Sequence, residues 1–257
     1  MVELRRIIDH AVLRHSVDAG ADIRFATLTV PQGAPLSEAA EQALDHAALP
    51  PRVVRAGTDL IREGERAERL YLVVEGWAFR YMTARDGARQ ISAVLVPGDV
   101  ANIDALSGAS AGSGIRAVTR LTVAALSCDS ARALAAEHAD IANLFLMRAL
   151  GDNAMLSRWA LCNGRLPAFQ RLACLLCELS VRLDAIADNR SRFDLPLTQE
   201  LLADVLGLTS VHVNRMMQRL RTERLIATEG RSVTIPDVTL LRRACEFDPQ
   251  YLYLRPA

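Results

Sequence analysis

The sequence predicts an α+β fold in which an N-terminal β-roll is followed by a long helix and a C-terminal winged helix-turn-helix. Three features indicate this order. Between residues 52 and 126, short apolar segments alternate with single glycines, as in small antiparallel rolls and barrels. Apolar residues then recur at helical spacing between residues 129 and 163. Finally, residues 198–235 combine two short amphipathic helical segments with the pattern of a β-hairpin.

The β-roll is assigned to residues 36–128. It opens with a short helix for which Ser37 is the expected N-cap, and Pro50-Pro51 end this helix near Leu49. Strands are expected at 70–74, 77–82, 91–96 and 121–126. Residues 1–35, which precede the roll, have mixed character and form an N-terminal extension without a predicted role.

A long helical region is predicted over residues 129–163, with Asp129 as its N-cap. Its apolar stripe is broader than the small roll can cover. The stripe consists of Leu134, Ile141, Leu144, Phe145, Ala149, Met155, Leu156 and Trp159. A second copy of the helix would cover it, which favours self-association; packing of the whole stripe on its own roll is the alternative. Gly164 and Pro167 then break the pattern, and the last domain is assigned to residues 164–257.

The helix-turn-helix can be assigned position by position. Thr198 is a good N-cap for a first helix with apolar residues at helical spacing, and Gly207 suits the left-handed turn that ends it. Thr209 is the expected N-cap of the second helix. The apolar stripe of this second helix is Val213, Met216, Met217 and Leu220.

The opposite face of the second helix, at about 100° per residue, is mostly polar and has no acid between Asp204 and Glu223. It carries Val211, Asn214, Arg215, Gln218 and Arg219, with His212 at its margin. Such a helix, set by a short turn on a partner helix, fits the DNA major groove. Residues 225–235 predict a hairpin whose tip, Arg231, would lie against a phosphate. A surface helical hairpin with a polar outer face is the alternative, but it leaves the missing acids unexplained.

The composition limits the classes of function. The formal net charge of the 257 residues is +0, so the whole molecule is not expected to attract nucleic acid non-specifically, although arginines outnumber acids between residues 207 and 235. Residues 1–20 are too charged for a secretory signal, no segment is apolar enough to span a membrane, and the cysteines are sparse; a cytoplasmic location is therefore expected. No nucleophile, metal-ligand or phosphate-loop motif is present, so an enzyme is not predicted.

Residues 36–240 resemble the bacterial Crp-Fnr family of transcriptional regulators, typified by the catabolite activator protein. The resemblance is carried, besides the helix-turn-helix, by AGTDLIREGE (56–65), YLVVEGWAFR (71–80), VPGDV (96–100) and IRAVT (115–119). It implies a cyclic-nucleotide-binding-like β-roll, a dimerisation helix and a winged helix. It also implies a homodimer that binds a pseudo-palindromic operator in double-stranded DNA, with RNA polymerase as a candidate partner. A small-molecule or cyclic-nucleotide-binding module whose winged helix contacts protein is the alternative function.

The sequence differs from the family pattern at the family's ligand-binding site. Cyclic-nucleotide binders hold the phosphate with an arginine and the ribose with a glutamate, because a buried anion needs a charge-assisted donor. Here Asn102-Ile103 replaces Gly-Glu, and no arginine or lysine occurs between Asp99 and Arg116. Cyclic AMP is therefore not expected to be the effector, which stays unidentified. The loop glycines, Gly108, Gly112 and Gly114, fit either a backbone nest for another anion or a plain loop.

No cofactor is predicted. An iron–sulfur cluster needs several cysteines near the N-terminus, but the first cysteine is Cys128. Cys174 and Cys177 are spaced as a packing pair on an apolar helix, with a redox or metal site as the alternative. Haem ligation by His10, His15 or His46 stays open beside the commoner role of a solvated surface histidine.

The resemblance also implies which residues touch DNA. Arg215 stands where the family has an arginine that contacts guanine, and Ser210, His212 and Asn214 are its neighbours. Val211 replaces a glutamate of many members and could meet only a thymine methyl, so a changed operator base is expected. The residues predicted to bind DNA bases or phosphates are Thr198, Gln199, Thr209, Ser210, Val211, His212, Asn214, Arg215, Gln218, Arg219 and Arg231. Whether the regulator activates or represses is not encoded in these residues.

Overall fold

The computed structural model describes residues 36–183 and 185–252. The predicted extension at 1–35, with His10 and His15, lies outside the described residues. Helix α1 (Glu38–Ala47) begins where it was predicted, because the Ser37 hydroxyl accepts a hydrogen bond from the Ala40 backbone N–H. The helix ends before the two prolines, and Pro50-Pro51 lie on the first strand. That strand is at the edge of its sheet and is irregular between Leu49 and Arg52, where missing N–H donors are tolerated.

Two antiparallel sheets form the β-roll, as the glycine-punctuated pattern predicted. Its strands are β1 (Leu49–Val54), β2 (Asp59–Ile61), β3 (Arg69–Glu75), β4 (Ala78–Thr83), β5 (Arg89–Leu95), β6 (Gly114–Ala117) and β7 (Leu121–Ser127). One sheet has the order β1-β7-β3 and the other β2-β6-β4-β5. Apolar side chains from both sheets, such as Leu60, Val73, Leu95, Ile115 and Val123, are buried together between them.

Gly76, in the turn between β3 and β4, has a backbone φ of +86°, and an added Cβ would overlap the carbonyl oxygen of Arg120. We expect Gly76→Ala to lower the free energy of unfolding by about 1–3 kcal/mol or more, because backbone strain and a steric clash act together. Thermal unfolding measures this. Gly112→Ala is the matched control, since a Cβ there meets no atom within 4 Å; an equal loss in both variants would contradict the explanation.

The predicted long helical region is two helices, α2 (Cys128–Glu137) and α3 (Ala139–Arg165), separated by His138 in extended conformation. The prediction of Asp129 as N-cap was wrong: the Ser127 hydroxyl accepts from the Ser130 N–H at 3.0 Å, and Asp129 lies in the first turn. Gly164 also lies within α3, so the helix breaks only at Leu166-Pro167.

The predicted apolar stripe divides between two faces of α3. Ile141, Leu144, Phe145 and Trp159 are buried within the same chain. The large apolar residues of α3 that stay exposed are instead Leu146 (56% exposed), Leu150 (46%), Leu156 (51%) and Leu161 (48%). Leu134 and Met155 are also packed, partly buried, against the same cores, so packing on its own chain accounts for six of the eight residues of the predicted stripe. A second, mostly different stripe is left uncovered by the described part of the chain.

The C-terminal part contains helix α4 (Ala168–Arg182), strands β8 (Ile186–Ala187) and β9 (Arg190–Asp194), helices α5 (Gln199–Leu206) and α6 (Ser210–Thr222), the hairpin β10 (Ala227–Glu229) and β11 (Ser232–Ile235), and helix α7 (Val238–Cys245). Its sheet has the order β10-β11-β9-β8. Between β8 and β9, Asp188 and Asn189 form a hairpin turn, and both residues have positive φ. A final 3₁₀ segment, Pro249–Leu252, packs on α3.

The winged helix packs directly against the β-roll. Trp77, Phe79 and Ile91 of the roll belong to the same buried cluster as Leu172 of α4 and Val205 of α5. Polar contacts reinforce this packing, because Arg89 pairs with Asp204 at 2.5 Å and the Gln90 side-chain amide donates to the Asp204 carbonyl at 2.7 Å. The position of the helix-turn-helix is therefore tied to strand β5. In the part of the chain that the structure describes, no helix is both long and apolar enough to cross a membrane.

Candidate nucleic-acid interface

Local hydrogen bonds fix the turn between α5 and α6. The Thr198 hydroxyl accepts from the Leu201 N–H at 3.2 Å, and the Thr209 hydroxyl accepts from the His212 N–H at 3.3 Å. Between the two caps, Gly207 ends α5 with a φ of 60° in the left-handed region. Arg171 of α4 donates to the carbonyl of Leu206 at 3.1 Å and so satisfies the C-terminal end of α5. The predicted helix-turn-helix is present with its predicted caps.

Helix α6 buries one side and exposes the other. Val213 and Leu220 are fully buried, and Met216 and Met217 pack partly against the same core. Val211 is 66% exposed although it is apolar. Of the residues predicted to bind DNA, Ser210 and Asn214 are half-buried, and the others are exposed: Thr198, Gln199, Thr209, Val211, His212, Arg215, Gln218, Arg219 and Arg231.

The polar side chains on the exposed face of α6 differ in whether they already have hydrogen-bond or ion-pair partners within the protein. Arg219 pairs with Glu223 at 2.7 Å and stacks over the Phe169 ring at 4.2 Å. The Asn214 amide donates to the Gln199 side-chain oxygen at 3.3 Å, which links α6 to the start of α5. Among the described residues, Arg215 makes no side-chain hydrogen bond or ion pair. Its guanidinium is therefore the most available donor group of the exposed face.

A groove of about 310 Å³ separates α6 from the β10–β11 wing. Its lining includes Thr198, Gln199, Asn214, Arg221 and Arg231. Gly230, with a φ of 58°, makes the wing turn and leaves Arg231 exposed. Arg221 was not among the predicted site residues, although it donates to the Thr228 hydroxyl of the wing at 3.4 Å. The sequence does not predict this contact, because it depends on how the β10–β11 hairpin folds back against α6.

In the β-roll, the residues at the family's ribose-binding position serve the fold. Asn102 is buried; its side-chain oxygen accepts from the Tyr71 N–H at 2.9 Å and its amide donates to the Arg69 carbonyl at 2.8 Å. Ile103 presents an alkyl group where the family has a glutamate. Arg116 is also engaged, since it forms a bidentate pair with Asp59 at 2.7 and 2.9 Å. The hydrogen bonds from Arg116 lower the pKa of Asp59 below its ordinary value.

Two of the three loop glycines of the β-roll have structural roles. Gly108 ends a 3₁₀ turn in the left-handed region, and Gly114 lies on β6 directly under the Tyr81 ring. His46 is exposed in the last turn of α1. Among the described residues, no group of three or more histidines, cysteines or acids is placed to hold a metal.

Four of the cysteines, Cys162, Cys174, Cys177 and Cys245, are buried near one another in the C-terminal part. The Cys174 thiol donates to the Cys245 carbonyl at 3.3 Å. A hydrogen bond with Cys174 and burial both raise the pKa of Cys162 well above its ordinary value. Cys174 and Cys177 are both buried in the apolar core of the C-terminal part, which supports packing as the role of this pair.

Comparison with known proteins identifies relatives of both halves of the chain. A model of Crp-like helix-turn-helix domains matches residues 170–244, and a model of cyclic nucleotide-binding domains matches residues 51–138. The transcriptional activator protein FnrL of Cereibacter sphaeroides is 29% identical over 195 residues, which cover 74% of this chain and 78% of that protein. The nitrogen fixation regulation protein FixK of Rhizobium meliloti is 28% identical over 199 residues, 76% of this chain and 88% of that protein.

The fold is also similar to solved structures. FixK2 from Bradyrhizobium japonicum superposes with a TM-score of 0.70 at 27% identity, covering 76% of this chain and 96% of that chain. The transcriptional regulator TTHB099 of Thermus thermophilus superposes with a TM-score of 0.62 at 22% identity, covering 80% of this chain and 100% of that chain. The second likeness is one of fold alone.

Proposed function

Because the chain belongs to the Crp-Fnr family of transcriptional regulators, with a helix-turn-helix domain and a cyclic-nucleotide-binding-like domain, we propose that it acts as a homodimer on a pseudo-palindromic operator. Helix α6 of each subunit enters the major groove, and the two helices contact half-sites about 34 Å apart on one face of the duplex. Residues 36–128 form the effector domain, 129–163 the dimerisation region and 164–257 the DNA-binding domain. The regulator works in the cytoplasm, with RNA polymerase as a candidate partner.

One observation carries the proposal: α6 is apolar and buried on one side, and on the other it presents a guanidinium that pairs with no other described residue. Arg215 makes a bidentate contact to guanine, the commonest specific contact of arginine with DNA. Val211 packs on a thymine methyl, which explains an exposed apolar residue at the start of this helix. Ser210, His212 and Gln218 are further candidates for base or sugar contacts.

The remaining residues position the protein on the phosphates. Thr198 and Gln199 stand at the N-terminus of α5, where backbone N–H groups and the helix dipole favour an anion. Thr209 stands at the same place on α6. Asn214, whose side chain is hydrogen-bonded to Gln199, contacts a phosphate or pairs with adenine. Arg219, Arg231 and Arg221 contact the backbone on either side of the groove between α6 and the wing.

Dimerisation is proposed to use the exposed stripe of α3. Leu146, Leu150 and Leu161 lie within about 60° of one another around the helix, and Leu156 lies on the adjacent edge. Exposed Ala142, Ala149 and Ala160 fill the space between them and allow a second helix to approach closely. An exposed stripe of leucines and alanines on a long helix, interrupted only by small polar residues such as Asn153 and Ser157, is suited to the seam that paired helices bury.

We expect Arg215→Ala to reduce discrimination at the contacted base by about 5- to 150-fold, which corresponds to about 1–3 kcal/mol, while folding and dimerisation stay intact. The measurement is footprinting on genomic fragments, followed by titration of the selected operator and of a scrambled duplex at one stated salt concentration. Arg85→Ala, which removes the same charge from an exposed turn of the β-roll, is the matched control. Unchanged selectivity in Arg215→Ala would refute the assignment of α6, and indifference of the parent protein to sequence would refute DNA recognition.

A further inference from the structure

Phe169 lies in the first turn of α4, outside the helix-turn-helix, and its ring packs against the guanidinium of Arg219 on α6. The guanidinium carbon is 4.2 Å from the ring centroid, well within the distance of about 6 Å at which a ring face attracts a cation. Phe169 is 8% exposed and belongs to the buried cluster that includes Leu172 of α4 and Val213 of α6. The ring is therefore a fixed part of the core, whereas the side chain of Arg219 is 55% exposed.

A second contact holds the same arginine at one edge of its guanidinium. The Nε of Arg219 donates to Oε1 of Glu223, the residue that follows α6, at 2.7 Å. Among the described residues, none accepts a hydrogen bond from the two terminal amino groups of Arg219. A planar group that is held on its face and at one edge presents its opposite edge in a defined orientation.

The position of Arg219 on α6 suits this free edge to a phosphate. Arg219 lies in the last turn of the helix, one turn after Arg215 and about 40° from it around the axis. Base edges are contacted mainly by the N-terminal residues of a recognition helix, so an arginine near its other end is placed for the DNA backbone. The two terminal amino groups of a guanidinium match two phosphate oxygens in a bidentate contact.

The neighbouring arginines of α6 are held differently. Arg215 has no aromatic, carboxylate or hydrogen-bond partner among the described residues, so it keeps the freedom to adapt to a base. Arg221 donates to the Thr228 hydroxyl of the wing. A free arginine loses much rotamer entropy when it binds, which weakens the contact it makes. Arg219 is already ordered by Phe169 and Glu223, so its contact loses less.

We propose that Phe169 is a positioning residue for DNA binding, which holds Arg219 in the orientation of a bidentate contact with one phosphate. The proposal rests on the proposed function and deepens it, because it gives a residue of α4 a role in the affinity for DNA. Phosphates are the same in every sequence. The contact therefore strengthens binding to all duplexes alike and leaves discrimination between them unchanged.

The first test removes the ring face and keeps an apolar side chain. In Phe169→Leu, affinity for the operator and for a scrambled duplex should fall by the same factor, about 5-fold or more at fixed salt. Phe169→Tyr, which retains the ring face, should restore most of this loss. If the leucine variant does not fold, Phe169→Met serves the same purpose. Unchanged affinity, a loss confined to the operator, or failure of the tyrosine variant to restore binding overturns the proposal.

A matched control makes the same substitution at another buried phenylalanine of the C-terminal part. Phe247 is 6% exposed, and its ring lies near the guanidinium of Arg242 on α7, at 5.8 Å. Phe247→Leu should leave the affinity for both duplexes unchanged. An equal loss in this control means that any weakening of the core lowers DNA binding, and it overturns the specific role of Phe169.

A double-mutant cycle separates positioning from structural support. Arg219→Met should make the dependence of log affinity on log salt concentration less steep by about one per subunit, because one phosphate contact is lost. In this background Phe169→Leu should cause no further loss, since no guanidinium is left to position. The same loss in both backgrounds shows that the ring supports the fold alone, and it contradicts the proposal.

The two duplexes also distinguish failure of this inference from failure of the proposed function. A parent protein that binds the operator and the scrambled duplex equally refutes sequence recognition, while the cycle measured on the scrambled duplex still decides the role of Phe169. Sequence-selective binding that Phe169→Leu leaves unchanged refutes the role of Phe169 and leaves the proposed function intact.

Discussion

Asp99→Ala is expected to lower the free energy of unfolding by about 3–5 kcal/mol, because it leaves two buried guanidinium groups without their shared carboxylate. Asp99 is 6% exposed and accepts from Arg148, from Arg182 and from the Val96 N–H. It thereby joins the β-roll to α3 and α4. Denaturant unfolding at pH 7 measures the loss, and Asp104→Ala, on an exposed residue nearby, should change stability by no more than about 0.5 kcal/mol.

A second substitution separates charge pairing from simple loss of packing. Asp99→Ala combined with Arg148→Met removes one of the guanidinium groups that lose Asp99 and keeps an apolar side chain in its place, while Asp152, the other carboxylate beside Arg148, keeps its pair with Arg80. We expect this double variant to be more stable than Asp99→Ala alone, since much of the cost of breaking a buried pair lies in the unpaired partner. Equal or lower stability of the double variant would contradict that account.

The same carboxylate makes stability depend on pH in a definite direction. Burial alone would raise the pKa of Asp99, but the charges of Arg182 and Arg148 outweigh it and hold the pKa below the ordinary 3.8. A group with a lowered pKa in the folded state stabilises the protein above its unfolded-state pKa, and the contribution is lost as the pH falls through the folded-state pKa. The parent protein should therefore lose more stability than Asp99→Ala on acidification below about pH 4.

Features encoded by local chemistry were predictable from the sequence. Thr198, Gly207 and Thr209 are a cap, a left-handed turn and a second cap, and each acts on residues within one helical turn of itself. Strands β3, β4, β5 and β7 and the wing hairpin were predictable for a similar reason, because glycine turns and alternating apolar segments are short-range signals. The same short-range patterns gave the order of the parts, and the family resemblance agrees with that order.

Features that depend on distant residues were not predictable. Asp99 and Arg182 are 83 residues apart, and Arg221 reaches the wing only because the hairpin folds back on α6. The stripe on α3 shows a further limit of prediction from sequence. Apolar periodicity indicates that a helix face is buried, but it does not indicate whether the same chain or a second subunit covers that face. Leu144 and Phe145 pack on the same chain, whereas Leu146 and Leu150 stay exposed. The pairing of β8 with β9 was not predicted, because the hairpin turn between them is made by Asp188 and Asn189, with positive φ, and contains no glycine.

The exposed stripe of α3 gives the prediction with the largest expected effect on DNA binding. Leu146→Glu combined with Leu150→Glu should convert the protein to a monomer, because four carboxylates would face one another across the paired helices in place of apolar side chains. Operator affinity should then fall by about 100-fold or more, since two linked half-site contacts become one. Sedimentation velocity gives the oligomeric state, and titration of the full operator at fixed salt gives the affinity.

The control has to add charge at an equally exposed apolar residue elsewhere. Val53→Glu does so, because Val53 is 51% exposed on the edge strand β1, close to the exposures of Leu146 and Leu150. It should leave both the dimer and the operator affinity unchanged. A parent protein that is monomeric, or a double variant that remains dimeric, would place the subunit contact on another surface.

A half-site duplex distinguishes loss of dimerisation from damage to the DNA-binding domain. In the monomeric variant, α6 and its guanidinium are unaltered, so the preference for the correct half-site over a scrambled one should persist at the affinity of a single subunit. Adding Arg215→Ala to this variant should remove the remaining preference. If the monomer loses half-site preference without that change, the substitutions on α3 have disturbed the winged helix, which packs against Trp159 and Cys162 of the same helix.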